Sequence, residues 1–372
     1  MSELASVAVD PRVELMSVIF RLAGNPEYSE CNLPRYDAEI EGHFAPFRYH
    51  PAVTLAAELR EKRHVRWAAP VSLAVHLADA YFLAPRMSFD PRPTELDERW
   101  QPEETSRFLE AARDFMSRTA FVGFTTSHQP LYQGAARRMH EALAQWWHFD
   151  WFHDFFGGHT SDRFHVVIGM LTGQNSYGVS CRGPDVTEIY AVQAVYGVSD
   201  DGLPVLDQDT VGCIAHEFSH AYVTPMIHEH ADEFRGAGER LFPPAEMEKT
   251  RGYGSWLEMT HETVVRACEM RYYAAYLGEE PTAWKIAWNT RTGFHLVGPL
   301  SDLLADYEAD RQQYPTLEAL PAEDLSVLRR TKPESVGSSA PAAPLASVLL
   351  WRIVVVVFRD FSPETPSPDH LR

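Results

Sequence analysis

The chain has 372 residues, of which 45% are hydrophobic, 12% aromatic and 23% charged, a mix that excludes a fibrous or wholly disordered protein and suffices to bury a sizeable core. Its formal net charge of −19 repels phosphate backbones and acidic membrane surfaces, so nucleic acid is not an expected partner. Four cysteines, Cys31, Cys181, Cys213 and Cys268, occur without a CxxC pair and indicate neither a disulfide framework nor a thiolate zinc knuckle.

The first eleven residues lack the basic-then-apolar layout of a signal peptide, so the expected location is cytoplasmic. Asp10 can cap and Pro11 start a helix that turns Val13, Ser17 and Phe20, with Leu15, Ile19 and Leu22, inward until Gly24 stops it. Pro51 and Pro70 open two more helices, and residues 103–116 and 131–147 continue the pattern, so residues 1–150 read as a helical region. In the next stretch His148, Asp150, His153 and Asp154 look metal-like. They alternate with Trp146, Trp147, Phe149, Trp151, Phe152, Phe155 and Phe156, which makes an aromatic core helix the better reading.

Between residues 164 and 196 the texture changes to β-branched and aromatic runs, 164–168 and 188–192, with Gly173, Gly178 and Gly183 between them, which predicts two or three strands. Helical signals return at 210–224, 256–277 and 300–313. The expected fold class is α+β: a mostly helical chain with a small sheet inserted before the 210–224 helix. Residues 151–330 form a second expected region, which can also be one continuous domain with 12–150. The Ser, Pro and Ala stretch 332–344 reads as a linker. The apolar run 348–358 would rise about 17 Å as a helix, short of a hydrocarbon core of about 30 Å, and it carries Arg352, so no membrane span is expected. Residues 331–372 are expected to be a linker and a poorly ordered tail.

The sharpest local signal is His216-Glu217-Phe218-Ser219-His220. Histidines at i and i+4 project from one helix face and can hold one zinc through their ring nitrogens, while the intervening Glu reaches a water that the metal activates. Asp209 can cap this helix, Val211, Ile214, Ala215, Phe218, Ala221 and Tyr222 form a core stripe, and Pro225 is expected to end it after about four turns. A third ligand is needed. Ser255 and Glu258 have the form of a capping box, which occupies Glu258 with backbone and leaves Glu262, one turn on, as the candidate. Arg266, four residues later, can neutralise or orient that carboxylate; the alternative is an exposed ion pair. Val223 and Met226 break the three-histidine pattern HExxHxxGxxH, and His228 and His230 remain rival ligands. Tyr253, in a Gly-flanked turn before the ligand helix, is a candidate oxyanion donor or simply packing. Asn175, Tyr177 and Gly178 are candidate substrate-binding residues on a strand edge, or else a hairpin turn.

These segments, with 13–24, 151–157, 175–178, 253–256, 262–267 and 314–316, make the chain resemble a family of bacterial proteins classed as a domain of unknown function, which carry HEFSH and are read as gluzincin-type zinc peptidases. The resemblance covers roughly residues 12–325, in order. It implies a mostly helical, zincin-like metallopeptidase domain with residues 151–330 as the zincin-like catalytic region, His216, His220 and Glu262 as zinc ligands and Glu217 as general base. The spacing from His220 to Glu262 is longer than in thermolysin-like enzymes, and Arg266 stands where those enzymes often have Asp.

The expected function is therefore that of a soluble metallopeptidase with one zinc ion and a peptide or protein substrate. Glu217 would take a proton from water and pass it to the leaving amine, with Tyr253, or one of His228, His230 and His261, steadying the oxyanion. Two alternatives differ in class. A non-catalytic peptide-binding protein with a structural zinc would close the site with His228 or His230, and a zinc hydrolase of a non-peptide substrate would replace the strand-edge groove by a deep pocket.

Overall fold

In a computed structural model of the chain, which describes residues 4–157, 162–243 and 253–309, the first helix begins where Asp10 and Pro11 place it. This helix, α1 (Pro11–Leu22), is capped by Asp10, whose carboxylate accepts the Arg12 amide at 2.8 Å, and it stops before Gly24 at φ +83°. It is not the one-sided helix that its spacing predicts. Every residue from Arg12 to Phe20 is buried, Glu14 included, because α1 is surrounded by α2 (Pro34–Phe44), α3 (Pro51–Arg63) and α4 (Ala68–Val75). Helix α2 escaped the sequence reading: only Tyr36, Ile40 and Phe44 are buried along it, a narrow stripe at four-residue spacing. Helix α4 starts two residues ahead of Pro70, which is tolerated in a first turn where its missing N–H would have no helical partner. The helices α5 (Pro102–Arg118), α6 (Phe121–Ser127), α7 (Gln129–Trp146) and α8 (Phe149–Phe156) follow.

The fold is mixed α+β. A four-stranded sheet has the order β1-β2-β4-β3, with β1 (Ser6–Ala8), β2 (Arg163–Gly169), β3 (Tyr177–Arg182) and β4 (Thr187–Ala194). Strands β1, β2 and β4 are parallel, and β3 runs antiparallel to β4 at the sheet's edge. The reading of residues 1–150 as purely helical is corrected by β1. Three residues are too few to show a strand period, and their pairing partners His165, Val166 and Val167 are remote in sequence.

Two compact units divide the chain: Met1–Asp150 with Gly158–Ala221, and Trp151–Gly157 with Tyr222–Arg372. In the first, α1 to α4 form a helical layer, and α4 also packs on β3. In the second, α11 (Trp256–Tyr272) packs against α10 (Ala231–Leu241) and α13 (Val297–Ala309), with α12 (Glu279–Arg291) beside α13. The aromatic segment belongs to this second core. Trp151 stacks on Phe155 at 4.5 Å and meets Tyr272 edge-on at 5.2 Å, while the Tyr307 hydroxyl donates to the Phe155 carbonyl at 2.6 Å.

Helix α9 (Gln208–Glu229) departs from the expected helix at both ends. Its start is held by Asp207 rather than Asp209: the Asp207 carboxylate accepts the Thr210 amide at 3.1 Å, and the Thr210 hydroxyl accepts the Asp207 amide at 3.1 Å. It also runs through Pro225 to Glu229. An interior proline costs about 3 kcal/mol, but Val223 and Ile227, on either side of it, are completely buried. Two such burials contribute about 1.5–3 kcal/mol each and outweigh the lost bond.

The proposed linker at 332–344, the apolar run 348–358 and the end of the 300–313 helix beyond Ala309 lie outside the described residues. No helix among the described residues is long and apolar enough to cross a membrane.

Buried Glu14 ties α1 to its neighbours. Its carboxyl accepts the Tyr36 hydroxyl at 2.8 Å and the Met170 amide at 3.1 Å, and the Tyr132 hydroxyl lies 2.7 Å from that of Tyr36. Burial disfavours the charged form and pushes the Glu14 carboxyl from 4.5 up to about 8, against the pull of the Tyr36 and Met170 hydrogen bonds. Between those two values the folded chain holds a proton that the unfolded chain releases, so this group's contribution to stability falls as pH rises through about 8. Glu14→Gln is expected to remove this slope, worth on the order of 5 kcal/mol at about 1.4 kcal/mol per pH unit. Melting temperatures of both chains at pH 5, 7 and 9 check it, and parallel pH profiles would reject it.

Candidate metal centre

The motif helix presents its chemistry by turning Phe218 the other way. Phe218 is completely buried, edge-on to Trp147 at 5.7 Å and to Phe164 of β2 at 5.0 Å. Residues two positions to either side therefore project from the opposite face of α9. His216 and His220 are those residues, with ring centroids 5.1 Å apart. Glu217 between them is buried, and the Cys213 thiol lies 3.9 Å from its Oε1. Ser219 turns inward and donates to the Ala215 carbonyl at 2.7 Å.

Strand β3 is laid against this helix at Gly178. A Cβ there would stand 2.1 Å from the Glu217 carbonyl oxygen and 3.1 Å from His220 Cβ, so only glycine lets the backbones approach. The residues before it hold the strand in place. Gly173, at φ +65°, lies so close to the Glu27 carbonyl that a Cβ would be 2.6 Å from it, and the Asn175 side-chain amide donates to that carbonyl at 3.4 Å. Tyr177 is buried with its ring 6.4 Å from that of Tyr28. Asn175 lies in the loop between β2 and β3, while Tyr177 and Gly178 open β3. The structure thus places all three of these residues in the anchoring of an edge strand that touches the motif helix. Gly178→Ala is expected to displace β3 or α9, at a cost of roughly 3 kcal/mol, and to weaken metal binding at the same time. Thermal melting and metal titration of the variant check both effects.

The third ligand candidate sits on α11, whose start is set by the capping box that the sequence predicts. The Ser255 hydroxyl accepts the Glu258 amide at 3.1 Å, and the Glu258 carboxylate accepts the Ser255 amide at 3.1 Å and the Gly254 amide at 2.6 Å. Glu262 follows one turn later. Its ion pair with Arg266, 2.7 Å from Nη2 to Oε1, is buried, with 14% of the Arg and 6% of the Glu side chain exposed, where an exposed pair was the alternative. Arg266 also donates to Asn289 Oδ1 at 2.8 Å and to the Tyr253 hydroxyl at 3.3 Å, and it lies over the Phe294 ring at 4.3 Å. Burial lowers its pKa, but the negative charges of Glu262 and Glu269 outweigh that and hold the guanidinium charged. Burial, then the charge of Glu262, raises the Tyr253 hydroxyl well above its usual range, so Tyr253 is a neutral donor at any working pH.

One ligand atom from each of His216, His220 and Glu262 lies within 4.8 Å of the others. Two imidazoles and a carboxylate are a donor set that suits a divalent cation such as zinc. Among the described residues, the group includes neither His228 nor His230. The ring of His228 instead lies 5.7 Å from that of His261.

Several neighbours escaped the sequence reading. Cys213 was findable, because it precedes Glu217 by one helical turn. Tyr196, just beyond β4, was not: its hydroxyl lies 3.1 Å from the Ser176 hydroxyl and 3.9 Å from Cys213 Sγ, contacts that no local pattern encodes. Asn289 and Phe294 reach Arg266 across more than twenty residues of sequence and carry no signal either.

No curated protein and no solved structure matches the chain. Residues 5–327 match the family described as a domain of unknown function, DUF4932, and since that match spans most of the 372 residues, the chain belongs to this family.

Proposed function

We propose that the protein is a zinc-dependent hydrolase, and specifically a metallopeptidase. The observation that carries this reading is the grouping of His216, His220 and Glu262 within 4.8 Å, with buried Glu217 between the two histidines. A zinc ion held by His216, His220 and Glu262 would supply Lewis acidity, which makes water easier to deprotonate near pH 7.

The remaining chemistry belongs to the chain. Glu217 takes the proton of the attacking water on a carboxylate oxygen and hands it to the leaving amine as the tetrahedral carbon collapses. Its contact with the Cys213 thiol at 3.9 Å helps to hold that oxygen in place. Arg266 fixes the orientation of Glu262 and offsets its charge. Tyr253, protonated and beside Glu262, offers an O–H to the developing oxyanion. An extended peptide is the substrate class that suits β3, which is an edge strand among the described residues, because a strand edge next to the motif helix can add the peptide as one more strand.

The test is metal content by mass spectrometry together with cleavage of a peptide library by the full chain. One zinc per chain is expected, with turnover that stops on chelation and returns with zinc. Full zinc occupancy without cleavage of any peptide would turn the reading toward a binding protein, and cleavage that survives complete metal removal would overturn it.

A further inference from the structure

We propose a second, metal-independent reactive site on the sheet: Ser6 is a nucleophile activated by His165 and Glu188, and it accepts acyl groups from activated esters and thioesters. The three residues come from β1, β2 and β4, the parallel strands of the sheet. Register pairs Ser6 with His165 and His165 with Tyr190, so these side chains share one face, and the Arg163–Glu188 pair lies two residues along on the same face.

The geometry gives each atom a role. Ser6 Oγ lies 2.7 Å from His165 Nδ1, and His165 Nε2 meets Glu188 Oε2 in a short hydrogen bond. A carboxylate can only accept, so Nε2 carries the imidazole proton and Nδ1 presents its lone pair to the serine. This is the base–nucleophile–orienting-acid arrangement recognised by role rather than by position in the chain. The imidazole is also held by its face, stacked on Tyr190 at 4.5 Å and 15°, and the Tyr190 hydroxyl in turn accepts from Arg86 at 3.0 Å. Burial lowers the His165 pKa; Glu188 opposes that, and the nearby charges of Arg163 and Arg86 add to it, so the ring is a neutral base near pH 7. Ser6 itself is exposed, while His165 and Glu188 show only 13% and 17% of their side chains to solvent. A ladder of cross-strand hydrogen bonds with no chemistry would not need this combination of open nucleophile and enclosed base.

In the acyl transfer, Ser6 Oγ bonds to the carbonyl carbon as its proton passes to His165 Nδ1, and Glu188 faces the imidazolium that results. The bond to the leaving alkoxide or thiolate breaks, its electron pair departs with that group, and Nδ1 returns the proton to it. Water then repeats the two steps on the acyl-serine and releases the carboxylic acid. An open strand face encloses the acyl group little, which restricts the class to esters and thioesters whose leaving groups depart without strong oxyanion stabilisation.

The experiment exposes the full chain to 4-nitrophenyl acetate and locates acetyl groups by peptide mapping. The expected result is an acetyl adduct on Ser6, absent in Ser6→Ala, and formed about a hundredfold more slowly in His165→Gln. The rate should rise with pH with a midpoint below the ordinary imidazole value, a signature that a purely structural hydrogen bond does not produce. Glu188→Gln, which keeps the shape of the row, should also slow the reaction and serves if His165→Gln does not fold. Acetylation should continue after chelation and in Glu217→Gln, which separates this site from the metal centre. No adduct at Ser6, or an equal rate in both the His165 and Glu188 variants, would overturn the proposal.

Discussion

Glu217→Gln is expected to keep the fold and the bound zinc while hydrolysis falls by about 10²–10⁴-fold, the usual contribution of a positioned general base. The amide preserves the side chain's shape in its buried position on α9 but cannot take a proton from water. Metal content measured beside turnover distinguishes this outcome from simple loss of the site. The contact from the Cys213 thiol survives the change, because the amide oxygen can still accept where Oε1 does now. Undiminished turnover in the zinc-loaded variant would remove Glu217 from the mechanism, whatever the fate of the metal.

The second large effect is expected at Glu262, where two roles can be separated. Glu262→Ala should lose tight zinc binding, since three protein ligands are the minimum for such a site. It should also destabilise the chain by about 3–5 kcal/mol, because the largely buried Arg266 guanidinium loses its ion-pair partner and only the charge of Glu269 remains to offset its own. Asn289 and Tyr253 still accept from it, but neither carries a formal charge to offset its own. The double variant Glu262→Ala/Arg266→Met replaces the guanidinium with an apolar chain facing Phe294 and Trp288. It should recover most of the stability and none of the zinc affinity. Denaturant unfolding and zinc titration of both variants check this, and zinc affinity regained by the double variant would move the third ligand elsewhere.

How much of the molecule was legible in the sequence depended on how local each signal was. Asp10 with Pro11, and Ser255 with Glu258, marked helix starts correctly because a cap is a contact between residues two or three apart. His216, Glu217 and His220 were readable because helical spacing alone puts the two imidazoles on one face. Glu262 and Arg266 were legible as an ion pair at i and i+4, but not as a buried one, because burial depends on what packs over them.

Pro225 was misread for the same reason. The rule that proline ends a helix is local, and the burial of Val223 and Ile227 that overrides it is tertiary. Strand β1 and the Ser6–His165–Glu188 row lie further still from sequence reasoning: β1 pairs with β2 across more than 150 residues, and neither period nor motif connects Ser6 to His165 or His165 to Glu188. Glu14 shows the same division. In the sequence it is one acidic residue between Val13 and Leu15, and only a neighbourhood assembled from Tyr36, Tyr132 and Met170 makes it a buried, proton-holding carboxyl. Helix and cap chemistry is decided within a few residues, so the sequence by itself determines it. Burial, strand partnership and the charge state of enclosed groups are set by the sum of distant contacts, and those only the tertiary structure decides.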